Sequence, residues 1–176
     1  MFPLGESGSH QITRWKRSGA CAAILADARF TAINAKDAYA KTALHWAAQT
    51  GRTEIAETLI YAGANLEAVT RLGDYTPMHL AGRNSHAGVL QVLLEAGGNP
   101  EAVTTSGGST VLHFAAGSGN AEAVRALLAG GAQVNARESS RGQTPLMFAS
   151  AAATARALTA PATSTPPADT RSRSAP

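Results

Sequence analysis

One tetrapeptide returns along this chain at a fixed interval, and that interval governs what the chain can fold into. Thr42-Ala43-Leu44-His45 recurs as Thr76-Pro77-Met78-His79, Thr110-Val111-Leu112-His113 and Thr144-Pro145-Leu146-Met147, each 34 residues after the last. Other columns keep the same period. Gly51 and Gly119 follow their Thr by nine residues; Leu59-Ile60, Leu93-Leu94 and Leu127-Leu128 form aliphatic doublets; Gly63-Ala64-Asn65, Gly97-Gly98-Asn99 and Gly131-Ala132-Gln133 close each unit. A period of this length is one supersecondary unit copied along the chain. A single unit cannot bury its apolar side alone, so the units must stack to form a core.

Local chemistry fixes the shape of a unit. Thr is a good helix N-cap, and Pro suits the first helical position, where its missing N–H has no intrahelical use. A short first helix is predicted near residues 42–50, ending at Gly51, which suits a left-handed reversal. A second helix near 53–62 presents Ile55, Leu59 and Ile60 on one face, with Glu54 and Glu57 elsewhere, and ends at Gly63. Composition agrees: the chain is 44% hydrophobic and only 5% aromatic, and 38 of its 176 residues are Ala. Small side chains such as Ala47 and Ala48 let short helices approach closely. In the second unit Ser85 stands in the Gly51/Gly119 column, which predicts a strained side chain at positive φ. Gly82 and Gly88 are expected to weaken the helices of the same unit.

These columns resemble the ankyrin repeat, a β-turn plus two helices with a T-P-L-H-x-A signature. Trp46-Ala47-Ala48, Leu80-Ala81-Gly82 and Phe114-Ala115-Ala116 continue that signature. The resemblance covers residues 19–150 and implies an all-α ankyrin-repeat solenoid, helix-turn-helix units with β-hairpin-like tips. Residues 42–75, 76–109 and 110–143 read as complete units. Residues 19–41 read as a partial one, legible to Ile33-Asn34-Ala35-Lys36-Asp37, with Phe30 where Gly is usual. The extra residue over the usual period falls in loops 68–75, 102–109 and 136–143, giving long tips similar to those of bacterial arrays. Residues 144–158 read as a truncated unit, with Ala153 in the turn-Gly column and Pro161 in the doublet column. Residues 1–18 match nothing and are expected to be disordered, as is the Ala/Thr/Ser/Pro tail at 159–176. The tail is either natural or the product of a shifted reading frame.

Charge and motifs exclude several functions. The formal net charge is +3, but residues 37–150 hold 7 basic and 9 acidic side chains. The excess lies at the two ends, so the folded middle lacks the basic stripe of a nucleic-acid binder. No apolar run approaches the ~20 residues needed to cross a bilayer. Arg14-Trp15-Lys16-Arg17 could begin a secretory signal, but Ala20–Ala26 is short and weakly apolar and Asp27 follows it. Ser18-Gly19-Ala20-Cys21 has the composition of a lipoprotein box without the hydrophobic run before it. A cytoplasmic location and a monomer are therefore expected. Gly117-Ser118-Gly119 does not extend to a phosphate loop, and Glu54, Glu57 and Glu122 suit helix starts and not paired catalysis. The lone Cys21 cannot build a disulfide framework or a Cys-based zinc site.

What remains is surface, and the resemblance implies non-enzymatic binding of another protein through the hairpin tips and the concave face of the first helices. By column, the candidate partner-binding residues are Tyr39, Lys41, Arg71, Tyr75, Ser109, Arg141 and Gln143 at the tips. On the first helices they are Trp46, Gln49, Leu80, Arg83, Asn84, Phe114 and Ser118. The alternative is a regulatory fragment that positions or inhibits an attached or neighbouring enzyme. No cofactor is expected. His45, His79 and His113 form a column, but stacked helices lie about 8–10 Å apart, whereas zinc needs nitrogens within about 2.1 Å of one centre. The resemblance assigns this His to hydrogen bonding within and between the loops. Thermal melts with and without a chelator should therefore coincide; a lower midpoint with chelator, together with stoichiometric metal in the purified protein, would overturn that expectation.

Overall fold

The computed structural model describes residues 33–159. The expectations for residues 1–32 and 160–176, including the partial unit before residue 33, the environment of Cys21 and the disordered ends, lie outside the described residues. Within them the chain forms short helices joined in pairs: α1 (Ala43–Thr50) with α2 (Thr53–Tyr61), α3 (Pro77–Arg83) with α4 (Ala87–Glu95), and α5 (Val111–Ser118) with α6 (Ala121–Ala129). A final helix, α7 (Pro145–Thr159), follows. Helices α1, α3, α5 and α7 stack as one row, and α2, α4 and α6 as a second row behind it. No strand forms among the described residues; one isolated bridge pairs Val103 with Thr110 across a tip. The core lies between the rows, built from Leu44, Ala48, Ala56, Leu59, Met78, Ala81, Leu90, Leu93, Leu112, Ala115 and Leu127.

Thr and His begin each of the first three inner helices as a capping box: the Thr side chain accepts from the His backbone N–H, and the His ring accepts from the Thr backbone N–H. The N–H of Thr42 reaches His45 Nδ1 at 3.0 Å. Nδ1 is thus an acceptor, so the proton sits on Nε2, which donates to the Tyr75 carbonyl of the next tip at 3.0 Å. His79 does the same to Ser109 at 3.3 Å and His113 to Gln143 at 3.0 Å. All three rings are fully buried. Burial holds His45 below its ordinary value and pushes His79 down to about 4.

Two further ladders join the units. His86 and Asn120, at the starts of α4 and α6, donate to the carbonyls of Gln49 and Ser85 in the preceding unit. The carboxylates of Glu67 and Glu101 accept the backbone N–H of Asn99 and Gln133 in the following one. One side chain also organises each tip from within. Thr70 and Thr104 accept from the N–H five residues on, at Tyr75 and Ser109, and Glu138 accepts from Ser140, Arg141 and Gln143. The Ser140 hydroxyl above all, with the backbone N–H groups of Ser140, Gln143 and Arg141, holds the Glu138 carboxyl down at about 2. In the first tip Asp37 reaches only four residues, to Lys41 N–H, so the later tips carry the extra residue.

Left-handed residues recur by column. Gly51 and Gly119 end α1 and α5 at φ 72° and 75°, and Ser85 takes the same turn after α3 at φ 64°. Ala40, Asp74, Gly108 and Gly142 do so in the four tips. Gly82, expected to be a weakness, has a packing reason: a Cβ there would lie 3.2 Å from Val111 Cγ1 and 3.3 Å from the Val111 carbonyl oxygen. The other units carry Ala48 and Ala116 in this column, and Pro77 and Pro145 in the column of Val111, so Gly82 makes room for the bulkier Val111. The expectation for Ile55 is also corrected. It is exposed, while Ala56, Thr58 and Leu59 turn inward. Its column-mates Val89 and Ala123 are buried because a second-row helix precedes α4 and α6; among the described residues none precedes α2. At the far end the chain does not reverse at Ala153. The run Ala151-Ala152-Ala153 has the highest helix propensity and no glycine, and α7 continues through it to Thr159.

Two measurements test this account. The Ser85 hydroxyl has no partner among the described residues, so Ser85→Gly removes strain and nothing else. Left-handed strain of 1–2 kcal/mol for a non-glycine residue exceeds the entropy that Gly adds to the unfolded chain. A net gain of roughly 0.5 kcal/mol is expected in denaturant melts; an unchanged or lower midpoint would show that Ser85 is unstrained. The second is pH. Between the ordinary value of 6.5 and about 4, unfolded His79 binds a proton that the folded ring refuses. Stability should thus be full above 6.5 and fall as pH drops toward 4, by roughly 3 kcal/mol for His79, with His45 adding in the same direction. His79→Asn should be less stable at neutral pH and show a shallower slope over that window. Equal slopes for variant and parent would reject the assignment.

Candidate functional site

The first two tips and the inner faces of α1 and α3 enclose a groove of about 390 Å³. Tyr39, Lys41, Trp46, Gln49, Thr70, Leu72, Tyr75, Leu80, Arg83 and Asn84 line it. The capping box fixes the start of each inner helix, so the residues just after it, Trp46 and Leu80, occupy equivalent places one unit apart. Asp37 ties the first tip to α1: its carboxylate accepts from Tyr39 N–H at 2.8 Å, Lys41 N–H at 2.9 Å and Trp46 Nε1 at 3.1 Å. The Lys41 N–H and then the other donors hold that carboxyl below its ordinary value. Lys41 Nζ sits 4.4 Å from the Trp46 ring centroid and donates to Gln49 Oε1 at 2.7 Å. The ammonium is thereby fixed at the rim by a cation–π contact and a hydrogen bond.

Tyr75 forms the groove wall and is braced from beneath. Its ring meets Phe114 edge-on at 5.6 Å and His79 at 6.1 Å, and Phe114 meets His79 at 5.7 Å. Leu80 is nearly buried, whereas Trp46 is 45% and Tyr39 63% exposed. The Arg83 side chain, at the end of α3, is exposed with no ion pair among the described residues. Asn84 donates its side-chain amide to the Leu80 carbonyl at 2.9 Å.

Most residues selected by column therefore meet at one place: Tyr39, Lys41, Trp46, Gln49, Tyr75, Leu80, Arg83 and Asn84 share the groove. Arg71 is exposed beside it, between Thr70 and Leu72, with its N–H donating to the Tyr39 carbonyl. Phe114 lies behind Tyr75 and is not a lining residue. Ser118 is half-buried, and its hydroxyl donates to the Ala115 carbonyl. Arg141 is exposed and Gln143 half-buried in the last tip, remote in sequence from the groove. Ser109 needs correction as an accessible tip residue: it is buried, and its carbonyl receives the His79 proton. Column reasoning missed Thr70 and Asp37. The recurrence of Thr70 as Thr104 was a signal for the first. The second stands one residue out of register, in the shorter tip.

No group of three or more His, Cys, Asp or Glu side chains is arranged to hold a metal ion among the described residues. No helix among them is long and apolar enough to cross a membrane. Residues 10–104 and 78–162 each match the family model described as ankyrin repeats (3 copies). The chain belongs to the ankyrin-repeat family, and its stacked helix pairs agree with that. Ankyrin repeats are generally protein–protein interaction modules and typically not enzymes. No curated protein matches the chain in sequence.

Proposed function

We propose that this protein is a non-enzymatic binding module that holds another protein against the concave face of its inner helices and its hairpin tips, centred on the groove between the first two described units. The observation that carries the reading is the convergence of Trp46, Tyr75, Lys41 and Arg83 on one concavity. Aromatic and Arg side chains are the commonest anchors of protein interfaces, because each joins contact area to directional hydrogen bonding. The opposite surface, on α2, α4 and α6, offers no comparable concentration of aromatic rings.

Once a partner has been isolated with the full chain as bait, Arg71→Ala, Tyr75→Ala and Arg83→Ala should each weaken its binding by roughly 1–2 kcal/mol. Helicity should be retained, which circular dichroism checks, since Tyr75 also braces Phe114 and His79. Glu57→Ala on α2 and Arg125→Ala on α6 should matter less. Equal losses from both sets in a calorimetric titration would reject this face.

A further inference from the structure

The lining of the groove narrows the chemistry of its occupant. Two charged side chains line it, Lys41 and Arg83, and both are cations. Asp37, beside Trp46 and Lys41, has its carboxylate engaged by three donors, and Asp74, half-buried in the second tip, does not line the groove. Lys41 gives one of its ammonium protons to Gln49 and keeps two for other acceptors. Arg83 keeps its whole guanidinium fork, suited to a carboxylate held by two parallel hydrogen bonds. Between and beside these cations stand apolar surfaces left open to water: Tyr39 at 63%, Leu72 at 75% and Trp46 at 45% exposure. Exposed apolar surface gathered in a concavity is energetically useful only when something covers it.

Resting on the reading above that this face is the binding face, we infer that the groove takes an extended acidic peptide segment of the partner, with an Asp or Glu set beside a large apolar side chain. The carboxylate meets Arg83 and Lys41, and the apolar side chain covers Trp46, Leu72 and Tyr75. The volume, about 390 Å³, lies at the small end of ligand pockets and suits a few side chains of one strand of polypeptide. Residues 1–36 carry five basic side chains against two acidic ones, and residues 151–176 three against one, so neither end as a whole has the acidic balance that the groove calls for.

The test is selection of a random peptide library displayed on phage against the full chain, followed by fluorescence-anisotropy titration of the selected peptides. Enriched peptides should pair Asp or Glu with Leu, Phe or Trp. Arg83→Glu and Lys41→Glu should each weaken them by about tenfold or more, while Arg125→Glu on α6 leaves affinity unchanged. Added salt should weaken binding to the parent chain. Arg83→Gln, which removes the charge without reversing it, guards against a folding defect and should give an intermediate loss. Neutral or basic peptides that lose affinity in the groove variants would overturn the acidic assignment and leave the binding face standing. Peptides indifferent to the groove variants would overturn the face as well. Enrichment of no peptide would show that the groove does not take a linear segment.

Discussion

Each of the three described helix pairs of this protein hangs on the buried pair of a threonine and the histidine three residues after it. The pair closes the N-terminus of an inner helix, whose free N–H groups would otherwise be desolvated without partners. It also fixes the ring so that Nε2–H points at a carbonyl in the next tip. One side chain thus sets local structure and long-range register together. A neutral ring performs both roles, accepting on one nitrogen and donating on the other. An imidazolium would lose the acceptor and carry an uncompensated charge in the core.

The groove is a consequence of that register. Because each His grips the next tip, tip and inner helix keep a constant relation, and whatever residue follows the His is delivered to the concave side. In the first described unit that residue is Trp46, and in the second Leu80. In the third it is Phe114, which turns instead against Tyr75 and His79 and stiffens the wall. The first tip, one residue shorter and organised by Asp37, brings Tyr39 and Lys41 over α1. The groove therefore lies where tips of two lengths adjoin.

Departures from the repeat are absorbed by neighbours rather than by the unit that carries them. Gly82 is paired with the larger Val111 across the α3–α5 contact. Ser85 keeps the left-handed turn of its glycine neighbours because the turn is held from outside: Asn120 donates to the Ser85 carbonyl at 2.7 Å. No such hold operates at Ala153 among the described residues, and an alanine-rich helix simply continues. A stack transmits constraint only between adjacent units, so a terminal unit follows its own propensities more than a central one.

The sequence alone determined the repeat, its two helices per unit, their caps and the position of the left-handed turn after α1 and α5. These depend on short-range sterics and hydrogen bonding that Thr, Pro and Gly announce at fixed spacing. It also indicated the side of the array from which Trp46, Tyr75 and Arg83 project, since helical phase follows from the cap. Only the tertiary structure decided which of those side chains share a concavity. Ser109 and Arg71 belong to tips of the same kind in neighbouring units, yet one is buried under a histidine bond and the other stands in water. The Glu67 and Glu101 ladder, the partnership of Gly82 with Val111 and the clasp of Asp37 on Trp46 were likewise decided there. Each joins residues whose types are ordinary by themselves, and only the stacking of one unit on the next sets the distance at which they meet.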